Sequence, residues 1–182
     1  FWENLSPAEG NRILDLGAGT GRFAEGSINK KAFYVGIDFS KMMIKVAKKT
    51  YSGVKNIEFM VADAENLPFR PSSFDKVISI GMFEYISQPK RILSEINIIL
   101  ESKGVMCANV WNKMGLFRLP LAFVGSLRRT TNFKRAPFQA NEFRHHLENS
   151  GFKIRAVKGY FFIPPMLLLG NVLGWFFPCS AL

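Results

Sequence analysis

Ile13-Leu14-Asp15-Leu16-Gly17-Ala18-Gly19-Thr20-Gly21-Arg22-Phe23 is the stretch that decides the fold. An apolar run closes on an acid, and glycines follow at alternate positions. The pattern predicts a buried strand, a tight turn and the start of a helix, Thr20–Asn29, with Thr20 as its cap. Gly17 and Gly19 supply backbone conformations that a Cβ penalises, and they leave bare backbone for a ligand to lie against. Gly21 lets the next helix sit close to the strand. The unsatisfied N–H groups of that helix start are expected to face the ligand.

The spacing separates this turn from the dinucleotide fingerprint G-x-G-x-x-G, in which a pyrophosphate rests on the helix N-terminus. Here the pattern is D-x-G-x-G-x-G, led by Asp15. A carboxylate repels a pyrophosphate but suits a cationic amine, directly or through water. This points away from NAD and toward S-adenosyl-L-methionine, whose methionine end carries an ammonium. The stretch, Ala18 included, resembles motif I of the class I S-adenosylmethionine-dependent methyltransferases. The resemblance implies a doubly wound, mostly parallel, Rossmann-like α/β sheet.

The next motifs follow in order. Lys31–Ile37 is a second predicted strand ending at Asp38, about 20 positions beyond the glycine turn, where a ribose-binding carboxylate belongs. The alternative for Asp38 is a helix cap, a role that Ser40 can also fill. Phe39 is placed to lie against the adenine. Ser40–Thr50 reads as an amphipathic helix. Met43 matches an apolar position that lines the adenine pocket in the family, and it also suits a helix core. A third strand, Ile57–Ala62, leads into Asp63-Ala64-Glu65-Asn66-Leu67-Pro68-Phe69. This run resembles motif III of the small-molecule, methyltransferase type 11-like branch. The resemblance implies that the Asp63 side chain and the Ala64 N–H read the adenine edge; the plain alternative is a turn capped by Asp63.

Ser73–Ile80 is a fourth strand, followed by Gly81-Met82-Phe83-Glu84-Tyr85. It resembles motif IV, which implies that Ile80 and Gly81 face the sulfonium and the acceptor. Tyr85 stands where the family often carries His. A phenol is a poor base at neutral pH, so Tyr85 is a candidate for orienting an acceptor, with simple packing as the alternative. Pro89–Leu100 reads as a helix, Ser102-Lys103-Gly104 as its stop, and Gly104–Trp111 as a fifth strand.

Beyond the fifth strand the composition changes. Residues 1–110 carry a net charge of +2 and residues 111–182 a net charge of +8. The segment 112–138 contains Lys113, Arg118, Arg128, Arg129, Lys134 and Arg135 with no acid. It reads as a variable substrate lid, and its basic, apolar character suits an anionic surface, lipid or nucleic acid. Its alternative is a solvated basic face. Gln139–Ser150 reads as a helix, with His145 and His146 as exposed polar residues rather than a metal pair. Gly151–Ile163 reads as the sixth strand. No seventh strand is evident, and the apolar segment Met166–Phe177 is expected to lie exposed as a partner or aggregation site.

The organisation is therefore a single domain over 1–182. It has a cofactor-binding half at 11–111, a basic lid at 112–138, and a helix, strand and apolar tail at 139–182. Two cysteines, Cys107 and Cys179, form no disulfide framework and no zinc spacing, which points to a reducing, cytoplasmic compartment. No apolar stretch reaches the ~20 residues that span a bilayer, so any membrane attachment is peripheral. No cluster of metal ligands is evident. The expected chemistry is in-line methyl transfer, governed by alignment of the acceptor and exclusion of water. The acceptor class expected first is a small or lipid-like molecule. RNA and a non-catalytic interaction role are the alternatives.

Overall fold

A computed structural model of the chain describes residues 2–86, 88–111, 138–162 and 172–181. β1 (Arg12–Leu16), β2 (Phe33–Asp38), β3 (Ile57–Val61), β4 (Phe74–Ser79) and β5 (Leu100–Trp111) run parallel. β6 (Phe152–Ile154) and β7 (Lys158–Phe162) both pair antiparallel with β8 (Val172–Ala181), which itself pairs antiparallel with β5. The sheet order is β3-β2-β1-β4-β5-β8-β6, with β7 also on β8. The chain winds outward from β1 in one direction and from β4 in the other. That reversal opens a crevice at the carboxyl ends of these two strands.

Alternation along β1 divides the core. Leu14 and Leu16 face one layer, and Ile13 faces the other. α1 (Trp2–Leu5), α2 (Ala24–Ile28) and α3 (Lys41–Thr50) cover the Ile13 face through Leu5, Ala24, Ile44 and Ala47. α4 (Lys90–Ile99) and α5 (Ala140–Asn149) cover the Leu14 face. On α4 the buried residues are Ile92, Leu93, Ile96 and Ile99, the spacing of a single helical stripe. α5 opens on a capping box between Gln139 and Glu142, which satisfies two of the N–H groups left over at a helix start. Phe143 of α5 then meets Phe83 edge-on at 5.0 Å between ring centroids.

The sequence expectations are corrected at several points. The seventh strand is present. β8 runs over Val172–Ala181, between β5 and β6, so the Val172–Phe177 part of the expected exposed tail lies inside the sheet. Gly174 and Pro178 hid it. Proline removes a ladder N–H and argues against an interior strand, yet Pro178 stands in register with Cys107. The run Val172–Phe177 is apolar throughout and so lacks the polar–apolar alternation that marks a half-exposed strand. The predicted sixth strand is two strands, β6 and β7, interrupted at Arg155–Val157. The helix predicted over Thr20–Asn29 is shorter, Ala24–Ile28, with Phe23 rather than Thr20 at its N-cap. Three glycines of positive φ at alternate positions, Gly17, Gly19 and Gly21, delay its start. The predicted stop at Ser102–Gly104 is an irregularity within β5, where the register against β4 shifts between Phe74 and Lys76. The expected basic lid falls almost wholly outside the described residues.

Gly21 shows how tightly the turn is packed. Its φ is +85°, and a Cβ there would lie 2.6 Å from Phe59 Cζ and 2.9 Å from Tyr51 Cε2. The Tyr51 hydroxyl donates to the Gly21 carbonyl at 2.9 Å. The close approach at Gly21 is thus made to Tyr51, just beyond α3, and to Phe59 of β3. Gly21→Ala is expected to cost about 2–4 kcal/mol, from left-handed strain plus an overpacked ring. A lower urea midpoint at unchanged slope is the measurement.

Candidate cofactor-binding site

The sequence-predicted residues form a row along the carboxyl edge of β3, β2, β1 and β4. The turn after β1 is tied to the end of β2. Gly17 and Ala18 both donate to the Ile37 carbonyl at 2.9 Å, and Gly19 donates to Asp38 Oδ2 at 2.9 Å. Asp38 Oδ1 accepts from the Ser40 N–H at 2.8 Å, while Ser40 caps α3 by accepting from Met43 N. On its other side the Asp38 carbonyl accepts from Ala62 N at 3.2 Å, which brings the end of β3 alongside. On the β4 side, Met82 packs against the bare Cα of Gly17, where a Cβ would lie 3.0 Å from Met82 Cβ.

These bonds account for the donors of the turn. The N–H groups of Gly17, Ala18, Gly19 and Gly21 are satisfied within the protein, the last by Ala18 O. They hold the turn in shape and do not stand open for a ligand. Asp38, by contrast, keeps acceptor capacity. Each carboxylate oxygen has more than one lone-pair site, and each takes one backbone N–H here. Gly19 has φ +56° and nothing within 4 Å of where its Cβ would be, so open space borders the turn at that point.

Asp15 lies below this surface. It is 1% exposed, and its Oδ2 accepts a hydrogen bond from the Tyr34 hydroxyl. Burial raises its pKa from 3.8 to about 7. The Tyr34 hydrogen bond and the nearby Arg22 charge act against that rise, and Asp38 adds to it. Tyr34 is itself driven upward, first by burial and then by the Asp15 charge. Asp15, read from the sequence as a partner for an ammonium directly or through water, is thus a buried carboxyl hydrogen-bonded to a phenol. Ala18 is also buried, beside Gly36.

The remaining predicted residues are more open. Phe39 is 82% exposed and Met43 45%, so Met43 is not helix core. Asp63 spends one oxygen on its own turn, accepting from Glu65 N at 2.9 Å, as a turn-capping Asp would. The rest of that run is fastened to α4. Arg91 donates to the Glu65 carbonyl at 3.0 Å, and Glu95 accepts from Leu67 N at 3.1 Å. Ala64, half-buried, packs on the core beneath. Ile80 is half-buried at the end of β4, and Gly81 follows with φ +84°. Tyr85 lies in a 3-10 turn, Phe83–Tyr85, is 44% exposed, and is tied back by its N–H to Met82 O at 3.0 Å.

Sequence reasoning missed two supports. Asn109, buried in β5, accepts the Gly81 N–H on Oδ1 at 2.7 Å and so fixes the exit of β4. A lone amide inside Val105–Val110 was the available signal. Tyr34 is the other, hidden because an aromatic in a strand reads as core. A cavity of about 490 Å³ lies at the opposite, amino edge of β1–β3, lined by Phe33, Val35, Phe69 and Phe74 among others. Arg12 at its rim is committed to Asp75 and Glu101.

The Asp15 shift has a signed consequence. Its folded pKa, about 7, exceeds the unfolded value near 4. Between those values the native state holds a proton that the unfolded chain has released. Stability from this group is therefore full below about pH 4 and falls as pH rises to about 7, by about 1.4 kcal/mol per pH unit at most. Asp15→Asn is expected to flatten that part of the pH–stability curve, measured by urea unfolding across pH 4–8.

With this geometry in view, the comparisons are specific. The methyltransferase domain family matches residues 14–108, over half of the chain. A demethylmenaquinone methyltransferase of Clavibacter sepedonicus is 39% identical over 106 residues, 57% of this chain and 43% of that protein. A probable tRNA methyltransferase 9B of Homo sapiens is 32% identical over 105 residues, 56% of this chain and 22% of its own length. This chain thus spans less than half the length of these two relatives. The crystal structure of a SAM-dependent methyltransferase from Methanosarcina mazei superposes with a TM-score of 0.82 at 21% identity, covering 99% of this chain and 96% of the other. Sheet order, glycine turn and matched span agree: the chain belongs to the methyltransferase domain family and has the class I, S-adenosylmethionine-dependent methyltransferase fold.

Proposed function

We propose that the protein binds S-adenosyl-L-methionine along the carboxyl edge of β1–β4 and transfers its methyl group to a small or lipid-like acceptor. The observation that carries this reading is the Asp38 carboxylate, oriented by two backbone N–H groups at 2.8 and 2.9 Å with acceptor sites left over. A ribose diol needs such a carboxylate, held in place before the ligand arrives.

The other roles follow from position. Gly17 and Gly19 let the ligand approach backbone, and Gly21 packs the turn against Tyr51 and Phe59. Phe39 and Met43 offer apolar surface to the adenine, with Asp63 and the Ala64 N–H at its edge. Asp15 lies buried beneath the turn, toward the aminoacyl end, where a bound ammonium would draw it toward its ionised form. Ile80 and Gly81, the latter fixed by Asn109, form the wall beside the sulfur, and Tyr85 orients the acceptor. When bound, the cofactor supplies an electrophilic methyl on a sulfonium that is already a good leaving group. The protein's own work is alignment and exclusion of water, and a base is needed only for an acceptor that starts protonated.

The acceptor class draws support from the quinone named for the Clavibacter relative. A second reading, an RNA acceptor, is favoured by the net charge of +10 and by the tRNA named for the human relative. RNA binding that collapses with added salt supports that second reading.

Titration calorimetry with the methyl donor and with its demethylated product tests the core of the proposal. Wild-type protein is expected to bind both. Asp38→Asn is expected to weaken binding by at least tenfold, since hydrogen bonds to a charged acceptor are worth about 1.5–3 kcal/mol each. Gly19→Ala is expected to cost about 1–2 kcal/mol of stability from backbone strain while lowering affinity in addition. A wild-type chain that ignores both ligands overturns the reading.

A further inference from the structure

The described surface carries a row of exposed apolar residues that extends beyond the proposed cofactor site. It runs from Phe39 at the crevice mouth down α3 through Met42, Met43 and Val46, exposed 82%, 69%, 45% and 45%. Within α3 the spacing of Met42, Met43 and Val46 puts them on one side of the helix, and Phe39 precedes its Ser40 cap. Phe39 and Met43 border the proposed adenine position. Met42 and Val46 do not, and they point to solvent while Ile44 and Ala47 fill the core face. Alongside the stripe lies a row of lysines, Lys41, Lys45, Lys48 and Lys49, all exposed, and α3 contains no acid. A soluble helix with a free choice of residues places polar groups where Met42 and Val46 stand.

We propose that this face of α3 is the surface by which the protein settles on an anionic lipid bilayer. The two halves of the face fit the two layers of such a surface. Met42, Val46 and Phe39 match the acyl boundary, and the lysine row matches the headgroup charge. The helix is already folded and packed, so binding carries no cost of ordering it. A nucleic acid fits less well. Phosphates would satisfy the lysines but would leave methionine and valine in water, and the face has no arginine and a single aromatic, Phe39, where RNA readers stack several. The stripe meets the crevice at Phe39, so docking would bring the bilayer to the mouth of the site. The purpose of this surface, access to a lipid-like acceptor, rests on the function proposed above; the surface itself rests on α3.

The test is flotation of the intact chain with vesicles of phosphatidylcholine alone and of phosphatidylcholine mixed with phosphatidylglycerol. Binding is expected only to the anionic vesicles and is expected to weaken with salt. Lys45→Gln with Lys49→Gln is expected to weaken it about thirty-fold, at about fivefold per lysine. Met42→Gln with Val46→Gln is expected to weaken it about tenfold or more, with binding of the demethylated cofactor product unchanged. Absence of flotation overturns the proposal, as does flotation that neither double variant reduces. Retention on RNA in place of vesicles, lost in the lysine variant, also overturns it. Product binding measured on the same preparation separates the two ideas. Intact product binding without flotation removes the docking surface alone, and flotation without product binding removes the function proposed for the site.

Discussion

The joint between the glycine turn and the end of β2 is the constraint on which the site depends. Two backbone donors meet the Ile37 carbonyl and a third meets the Asp38 carboxylate. The same hydrogen bonds that shape the turn therefore aim the acid. A bent turn with φ above zero at Gly17, Gly19 and Gly21 would otherwise cost backbone entropy and leave buried donors unpaired. Here the donors are paired within the protein, and the same bonds fix the orientation of the carboxylate. Such preorganisation lowers the cost of binding, because little is left to order when the ligand arrives.

Charge in the crevice follows from this arrangement. Asp38 is half-buried at the joint, whereas Asp15 is buried below it and hydrogen-bonded to Tyr34. Burial outweighs the hydrogen bond, so Asp15 holds its proton more tightly than a free carboxyl does. A cation placed above the turn would favour the ionised form.

Much of this was readable from the chain because the chemistry sits at strand ends. A strand ending in Asp15 and glycines, one ending in Asp38, one ending in Asp63 and one ending in Gly81 need only a parallel sheet to become neighbours. Supports that work through long-range packing were not readable. Asn109 reaches Gly81 across 28 residues and Tyr34 reaches Asp15 across 19, and neither spacing has a local signature. β8 escaped because the two cues used for strands, alternation and absence of proline, both fail in it. The short α2 escaped because its start is set by glycine conformations that are visible only in the folded turn.

The position of β8 bears on how the domain is assembled. It follows β6 and β7 along the chain, yet it lies between β5 and β6. Until it arrives, the long ladder of β5 has an open edge, from Val105 to Trp111, and β6 and β7 have nothing to pair with. The half of the sheet that forms the candidate site can close from nearby pieces, while the other half waits for a distant one. A ribosome-bound chain would thus present a finished glycine turn beside an unprotected strand. Removal of β8 would expose that edge to intermolecular pairing, with the residues proposed to hold the cofactor untouched.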